Sequence, residues 1–241
     1  MLLRKQRLVK GVSYANHQDA GAPATTAKAY DAQKADELIL VDIDAAREGR
    51  GPDLEAVRAV ARNCMSPLTV GGGIVSPEIG RSCLGSGADK LCVNSTALAK
   101  PSLIEELAHA FGSQAVALAL DLVRDRHGWL IYDHLKGTCF EQPWQDWVVM
   151  ALRLGAGEIK LTSVDREGTR TGLDIQLWQA ARAIGDVPMI LEGGAGSLDH
   201  LAHAMTEGVD SIAIGTMLVF SDNNIIQLKR HLKNIGFPIR M

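Results

Sequence analysis

One segment of this sequence occurs twice, and that internal repeat is the strongest constraint on the fold. Pro67 begins one copy and Pro188 begins the other, 121 residues later. The same offset relates Gly72 to Gly193, Gly73 to Gly194, Asp89 to Asp210 and Ser95 to Thr216. Since 121 residues is half of the 241-residue chain, the fold is expected to consist of two equivalent halves.

The composition indicates a globular protein with a large core, because 46% of the 241 residues are hydrophobic. The net charge is −3 and the basic residues are dispersed, which argues against binding to nucleic acid. No apolar run approaches the roughly 20 residues needed to span a bilayer, and no signal peptide is recognisable. The cysteines form no CxxC pair and the histidines no HExxH motif. We therefore expect a cytoplasmic protein with no membrane partner, metal or cofactor. The cysteines are Cys64, Cys83, Cys92 and Cys139.

Short apolar runs alternate with amphipathic segments of helical length, as in a parallel sheet whose strands are joined by crossover helices. The predicted strands are Glu37–Ile43, Leu68–Val70, Lys90–Asn94, Ala115–Leu122, Glu158–Ser163, Val187–Leu191 and Ser211–Gly215. First-turn prolines mark predicted helix starts at Pro23, Pro52, Pro77, Pro101 and Pro143. Helical spacing predicts one helix face formed by Leu103, Ile104, Leu107, Ala108 and Phe111.

These units and the duplication predict a (β/α)8 barrel in a single domain of residues 1–241, with halves at about 1–120 and 121–241. A doubly wound open sheet would give the same alternation, and the duplication favours the barrel. The eighth strand falls at the N-terminus, where residues 1–3 are expected to form only the tail of a truncated first strand. Residues 6–14 and 128–134 are expected to form hairpin-like excursions after the first strand of each half.

Glycine-rich turns follow strands at the predicted mouth of the barrel, where the reactive groups of this fold lie. They occur at 71–73 and 193–196, and polar residues follow two further strands at 94–96 and 215–216. Glycines let backbone N–H groups approach an anion closely, so we predict two phosphate sites and a substrate with a phosphate at each end. The basic residues Arg4, Lys5, Arg7 and Lys10 lie above the same mouth, either as attractors of phosphate or as a solvated loop.

Carboxylates end several predicted strands. Asp121 closes an apolar run, so it is expected either to be paired or to act as an acid or base with a raised pKa. Asp42 ends the second strand in the same way. Asp44 and Asp165, also 121 residues apart, are expected to cap the following helices.

Charged residues begin three strands at the opposite end of the barrel. They are Glu37, Lys90 and Glu158. Such residues are usually part of an exposed surface. The equal offset of Glu37 and Glu158, again 121 residues, hints at a further role.

Together these motifs resemble the cyclase subunit of imidazole glycerol phosphate synthase along almost the whole chain. The signatures are Leu8-Val-Lys-Gly-Val12, Asp36-Glu-Leu-Ile-Leu-Val-Asp-Ile43, Val70-Gly-Gly-Gly-Ile74, Gly87-Ala-Asp-Lys90, Gly155-Ala-Gly-Glu158, Leu161-Thr-Ser-Val-Asp-Arg-Glu-Gly-Thr169 and Gly193-Gly-Ala-Gly196. The resemblance implies a glutaminase subunit at the bottom of the barrel, and ammonia that passes through the barrel to a phosphorylated substrate at the top.

The resemblance also implies residue roles. Catalytic roles fall to Asp121, Lys10 on a mobile substrate loop, Thr162 and, in one interpretation, Glu192. Phosphate and substrate contacts fall to Gly73, Asn94, Ser95, Gly168, Gly194, Gly215 and Thr216. The charged gate for ammonia would be Glu37, Lys90 and Glu158.

The sequence departs from the family pattern at three points. Leu2 stands where the family has a second catalytic aspartate, and most of the first strand, with its gate arginine, is not found. Loss of one of two acid/base groups costs on the order of 10²–10⁴ in rate. Lys160 and Glu192 replace apolar or small residues inside the barrel, and we expect them to pair with each other.

The leucine resembles a paralogous branch of the family, found with genes for bacterial surface polysaccharides. That branch is thought to supply ammonia, with a glutaminase and a separate amidotransferase, for an acetamidino sugar. We prefer this function. One alternative is imidazole glycerol phosphate synthesis in the histidine pathway, with Glu192 replacing the lost acid. Another is a non-catalytic ammonia conduit that docks partners.

Overall fold

The computed structural model describes residues 1–185, 187–219 and 221–241. The strands are β1 (Leu2–Arg4), β2 (Arg7–Val12), β3 (Ala15–Gly21), β4 (Leu38–Asp42), β5 (Leu68–Gly71), β6 (Lys90–Val93), β7 (Val116–Asp125), β8 (Gly128–Asp133), β9 (Thr138–Cys139), β10 (Glu158–Ser163), β11 (Met189–Glu192) and β12 (Ile212–Ala213). The helices are α1 (Pro23–Ala32), α2 (Leu54–Ala61), α3 (Pro77–Leu84), α4 (Ser95–Ala99), α5 (Ser102–Phe111), α6 (Trp144–Arg153), α7 (Ile175–Arg182), α8 (Leu198–Thr206), α9 (Thr216–Val219) and α10 (Ile225–Asn234).

The parallel strands follow one another around the sheet in the order β1, β4, β5, β6, β7, β10, β11 and β12. Each neighbouring pair in this series is parallel. This sequential order is that of a (β/α)8 barrel, whereas a doubly wound sheet reverses its order at a switch point. β12 and β1 are the two end strands of this parallel series, and the hydrogen-bonded path continues from β1 through β2 to β3. The expected α/β fold with a mostly parallel sheet is therefore confirmed.

Two antiparallel excursions interrupt the series of parallel strands, as the sequence predicts. β2 and β3 form a hairpin after β1. β8 pairs with β7 and then with β9. The first excursion extends further than predicted, because β3 continues to Gly21.

The core lies between the sheet and its surrounding helices. On β7, residues 116–122 are all buried, since this central strand is covered on both faces. On α5, the predicted face is confirmed: Leu103, Ile104 and Leu107 are fully buried. Within the described ranges, no helix is long and apolar enough to cross a membrane.

Some predicted boundaries are wrong. Pro52 does not open a helix: α2 begins at Leu54, and the Asp53 side chain caps it by accepting hydrogen bonds from two backbone N–H groups. β12 contains only Ile212–Ala213 of the predicted 211–215. The capping roles expected for Asp44 and Asp165 are also wrong. Asp44 pairs with Arg4, and Asp165 accepts a hydrogen bond of 2.6 Å from the backbone N–H of Arg124.

Candidate active site in the barrel lumen

Asp121 lies at the carboxyl end of the barrel, on β7, with only 4% of its surface exposed. One of its oxygens accepts a hydrogen bond of 2.6 Å from the Tyr14 hydroxyl, and the other accepts one of 2.7 Å from the Asn94 side chain. His134 Nδ1 lies 3.6 Å from the second oxygen. Of the two roles predicted for this carboxylate, the structure therefore shows pairing.

The electrostatics favour the ionised form of Asp121. Burial opposes ionisation, but the contact with His134, the charge of Lys160 and the Tyr14 hydroxyl outweigh it, so the pKa of Asp121 lies below its ordinary value. The raised pKa considered from sequence is therefore wrong. Burial and the nearby carboxylates raise the pKa of the Tyr14 phenol well above its usual range. Tyr14 is thus a permanent hydrogen-bond donor to an ionised carboxylate near neutral pH.

An ion pair lies beside this cluster, on β10 and β11, with a buried ammonium group and a partly exposed carboxylate. Lys160 is 7% exposed, pairs with Glu192 and also donates a hydrogen bond of 2.7 Å to the Thr162 hydroxyl. Thr162 in turn donates to Glu192 across 3.2 Å. Glu158, Lys160 and Thr162 share one face of β10 because alternate residues of a strand point the same way. The predicted Lys160–Glu192 pair is confirmed.

The pair is held in its charged form. Burial opposes ionisation of Glu192, but the charges of Lys160 and then Lys10 lower its pKa from 4.5 to about 2. Burial also disfavours the Lys160 ammonium, yet Glu192 and Asp121 raise the pKa of Lys160 above its ordinary value. Glu192 is therefore an ionised carboxylate near neutral pH and has no proton to donate.

Lys10 lies within β2, in the predicted hairpin excursion after β1, and is 8% exposed. It forms an ion pair with Glu167, on the segment after β10, and burial lowers its pKa. The backbone N–H of Ser13 donates a hydrogen bond of 2.9 Å to the Glu167 carbonyl. These contacts hold the β2–β3 hairpin against the segment after β10, across the mouth of the barrel. A Cβ added at Gly215 would lie 3.3 Å from Lys10 Cε, so the lysine stem passes directly over this glycine.

The other members of the predicted basic cluster do not form one anion site. Arg4 pairs with Asp44 at 3.1 Å, and Arg7 pairs with Asp19 at 2.8 Å on the exposed face of the hairpin. Each of these cations already has a carboxylate partner, so the solvated-loop interpretation fits them better. Lys10 lines both cavities at the mouth.

The two glycine turns make equivalent close contacts. A Cβ at Gly72 would lie 2.1 Å from the Asp42 carbonyl oxygen, and one at Gly193 would lie 2.5 Å from that of Ser163. Both glycines have positive φ, 102° and 107°. Neither position accepts a side chain, because backbone fills the space that it would need. The next residues, Gly73 and Gly194, line the cavities at the mouth and are themselves buried.

Two buried polar atoms at the mouth have no hydrogen-bond partner among the described residues. They are Oδ1 of Asn94 and the hydroxyl of Thr216. Unsatisfied buried polar atoms are rare and call for an explanation. Ser95 Oγ lies 3.5 Å from His134 Nδ1, at the start of α4. Asn94 Oδ1 and the Thr216 hydroxyl thus have unused hydrogen-bonding capacity at the mouth.

The charged residues at the bottom of the barrel form one cluster. Lys90 Nζ donates hydrogen bonds of 2.8 Å to Glu37 and of 2.8 Å to Glu158. The side chains are 15–24% exposed, and the second oxygen of Glu158 is buried without a partner in the described part of the chain. The three predicted gate residues therefore lie together.

A cavity of about 820 Å³ connects the two ends of this region. Its lining includes Glu37 near the bottom, Lys160 and Glu192 midway, and Asp121 and Tyr14 at the top. Leu2, on β1, lines the same cavity. A smaller cavity of about 20 Å³ lies at the second glycine turn. It is bordered by Lys10, Glu167, Gly168, Glu192, Gly193, Gly194, Ala195, Ala213, Gly215 and Thr216.

Sequence reasoning missed Tyr14 and His134. Tyr14 is only the last residue of one predicted hairpin, and His134 is only the last residue of the other. No pattern in the sequence marks either residue, because each reaches Asp121 from an excursion that folds back over the mouth.

This geometry defines an α/β barrel enzyme with a buried carboxylate at its mouth, glycine turns that present backbone to a ligand, and charged residues along its lumen. Residues 3–224 match the histidine biosynthesis protein family. The chain is 41% identical, over 237 residues, to imidazole glycerol phosphate synthase subunit HisF of Streptomyces avermitilis; the match covers 97% of this chain and 94% of that protein. The chain therefore belongs to the histidine biosynthesis protein family, as a HisF-like cyclase subunit.

Proposed function

We propose that this barrel receives ammonia from a glutaminase subunit and uses or relays it to an anionic phosphorylated sugar, in the synthesis of an acetamidino sugar for surface polysaccharide. A separate amidotransferase is a further partner in this proposal. The observation that carries it is that Asp121 and Leu2 line the same cavity. In this proposal Leu2 stands where the family has its second catalytic aspartate, so Asp121 lacks that partner.

In the proposed site, Asp121 is the general base and Tyr14 holds it ionised. Lys10 and Thr162 contact the substrate near it. The phosphate-binding group comprises Gly73, Asn94, Ser95, Gly168, Gly194, Gly215 and Thr216. The free Oδ1 of Asn94 and the free hydroxyl of Thr216 support this assignment, since both atoms are buried without partners in the described structure.

The gate in this proposal is the Glu37–Lys90–Glu158 cluster, and the glutaminase docks around it. The cavity that runs from Glu37 to Asp121 supports a path for ammonia through the lumen. The Lys160–Glu192 pair borders that path. We also infer that the halves, at about 1–120 and 121–241, arose by duplication; the matching contacts of Gly72 and Gly193 support this.

The second candidate is imidazole glycerol phosphate synthesis in the histidine pathway, which the 41% identity to a HisF subunit favours. Ring closure needs one group to remove a proton and another to donate one. Glu192 is a poor replacement for the missing acid, because its pKa of about 2 leaves it ionised.

One assay separates the two candidates. Purified protein is given the histidine-pathway substrate with ammonium salt, and substrate loss is followed for the wild type and for Asp121→Asn. We expect no turnover. Turnover that disappears in Asp121→Asn would overturn the polysaccharide proposal. If no turnover is seen, binding of phosphate-bearing nucleotide sugars at the mouth separates the proposed enzyme from a non-catalytic conduit.

A further inference from the structure

His134 lies beside Asp121 at the mouth, on the turn that follows β8. Its Nδ1 atom is 3.6 Å from one oxygen of Asp121 and 3.5 Å from the Ser95 hydroxyl. The imidazole also meets the ring of Tyr14 edge to face, with ring centroids 6.3 Å apart. Its side chain is 27% exposed, and it lines the cavity of about 820 Å³. The imidazole therefore lies next to the buried carboxylate and within reach of a ligand in the cavity.

The two ring nitrogens of His134 have different surroundings. Both Asp121 and Ser95 approach Nδ1, which can carry only one hydrogen. The ionised carboxylate is the stronger acceptor, so a hydrogen on Nδ1 is directed to Asp121. Because Ser95 and Asp121 share one nitrogen, the three residues do not form a relay that activates the Ser95 hydroxyl. Among the described residues Nε2 has no hydrogen-bond partner, so Nε2 is the atom that a ligand can meet.

The proposed reaction needs a proton donor as well as the base Asp121. When ammonia adds to the carbonyl group of a sugar, the nitrogen loses a proton and the oxygen gains one. Leu2 has no proton to give, and the ammonium group of Lys10 is already paired with Glu167. The donor must therefore be another group near Asp121.

The remaining ionisable groups near Asp121 are poor donors. Burial and nearby carboxylates raise the pKa of Tyr14 well above its usual range. Burial opposes the charge of Lys160, but Glu192 and Asp121 raise the pKa of that lysine, so it retains its proton. Glu192 itself is ionised, with a pKa of about 2. His134 is left as the group beside Asp121 that can donate a proton.

We propose that His134 is a catalytic residue: its Nε2 donates a proton to the carbonyl oxygen of a phosphorylated keto sugar, while Asp121 takes a proton from the incoming ammonia. The lone pair of ammonia forms the C–N bond, and the π electrons of the carbonyl group move to the oxygen, which receives the proton from His134. The nitrogen gives one proton to Asp121, so the product is a neutral carbinolamine. Histidine suits this role because it changes charge near neutral pH. This inference rests on the proposed function, since its reactants are ammonia and a phosphorylated sugar.

NMR of ¹⁵N-labelled histidine tests the geometry without any substrate. In the wild type, the neutral ring of His134 should carry its hydrogen on Nδ1. In Asp121→Asn the ring loses its carboxylate partner, so its proton affinity should fall at least about tenfold. His127, exposed on the turn between β7 and β8, is the internal control and should titrate alike in both proteins.

The wild-type NMR measurement decides the point even if Asp121→Asn does not fold. A neutral His134 ring with its hydrogen on Nε2 would overturn the inference. An unchanged titration of His134 in the folded variant would overturn it as well.

Ammonium salt and ribulose 5-phosphate test the catalytic role. The ketone of this sugar stays in the open chain because the hydroxyl that would close the ring carries the phosphate. Loss of water from the carbinolamine gives an imine, which cyanoborohydride reduces to a stable amine that mass spectrometry measures. We expect the wild type to accelerate amine formation at least about 10²-fold over the solution rate, and His134→Asn to lose about 10²-fold in kcat. His127→Asn is the matched control and should keep the wild-type rate.

The outcomes separate this inference from the proposed function. If His134→Asn raised KM for ribulose 5-phosphate and left kcat unchanged, His134 would be a substrate contact and not a proton donor. Equal kinetics of the wild type and His134→Asn would likewise overturn the inference, and both results would leave the proposed function intact. No acceleration by the wild type would overturn both the inference and the use of ammonia at this mouth, and only a conduit function would remain.

Discussion

The hydroxyl of Tyr14 donates a hydrogen bond of 2.6 Å to the carboxylate of Asp121, although the two residues are 107 positions apart. Tyr14 has a left-handed backbone, with φ of 63°, at the tip of the β2–β3 hairpin. This conformation is costly for a residue other than glycine, so the surrounding contacts must hold it. The Lys10–Glu167 pair and the bond from Ser13 to Glu167 supply those contacts. The hairpin therefore carries one of the groups that, with His134 and Lys160, lower the pKa of Asp121.

Removal of this hydroxyl should raise the pKa of Asp121. In Tyr14→Phe the carboxylate loses a charge-assisted hydrogen bond, which weakens the ionised form by roughly tenfold or more. The carboxyl carbon of Asp121 should then titrate at higher pH in an NMR experiment, and the acidic limb of any activity profile should move the same way. Tyr30→Phe, on α1, is the control. An unchanged titration of Asp121 would refute the role assigned to Tyr14.

The Lys160–Glu192 pair should be costly to break from one side. Glu192→Gly leaves the Lys160 ammonium buried without its carboxylate, and we expect a loss of about 3–5 kcal/mol in the free energy of unfolding. The double variant Lys160→Ile/Glu192→Gly should recover most of that loss, because no buried charge is left alone. Urea denaturation measures all three proteins. If the single and double variants were equally stable, the Lys160 ammonium would not depend on the Glu192 carboxylate for its stabilisation.

The same pair should make stability depend on pH below about 4.5. Because the pKa of Glu192 is lowered from 4.5 to about 2 by folding, its contribution is fully present above pH 4.5 and is lost as pH falls towards 2. The loss should be on the order of 3 kcal/mol. Denaturation of the wild type and of the double variant across this range isolates the effect, since other carboxylates are common to both. If the wild type and the double variant lost stability equally as the pH fell, the role assigned to Glu192 would be contradicted.

The sequence predicts the strands of the barrel because buried parallel strands are short apolar runs, and the bounds of β10 match the prediction in full. It also predicts the Lys160–Glu192 pair, since alternation on β10 directs Lys160 into the lumen, where it needs a partner. The strand prediction depends on the local sequence pattern. The prediction of the ion pair also depends on the rule that a buried charge needs a partner.

The contacts that complete the site could not be predicted in this way. Lys10 and Glu167 are 157 residues apart, and no spacing rule connects them. Tyr14 and His134 reach Asp121 only because each excursion turns back across the mouth. Such a turn depends on long-range contacts, so composition and periodicity do not reveal it.

The glycine turns should tolerate no side chain. In Gly72→Ala the new methyl group would lie 2.1 Å from the Asp42 carbonyl oxygen, at a φ of 102°, so the turn would have to move. We expect a loss of about 2 kcal/mol or more in the free energy of unfolding. Gly185→Ala is the matched control, because nothing lies within 4 Å of its added methyl group. Thermal denaturation of both variants decides the point, and equal melting temperatures would contradict the prediction.

The cluster at the bottom of the barrel should affect ammonia from the glutaminase but not ammonia from solution. Lys90→Met removes the cation that joins Glu37 and Glu158, leaves two carboxylates facing each other and so disturbs the proposed gate. With glutamine as the nitrogen source, we expect turnover of the phosphorylated sugar substrate to fall about tenfold. With ammonium salt as the source, we expect that turnover to change little. Lys100→Met, which breaks the exposed Lys100–Glu106 pair, is the control and should alter neither rate. An equal loss with both nitrogen sources would mean that Lys90 supports the fold of the barrel and not the passage of ammonia.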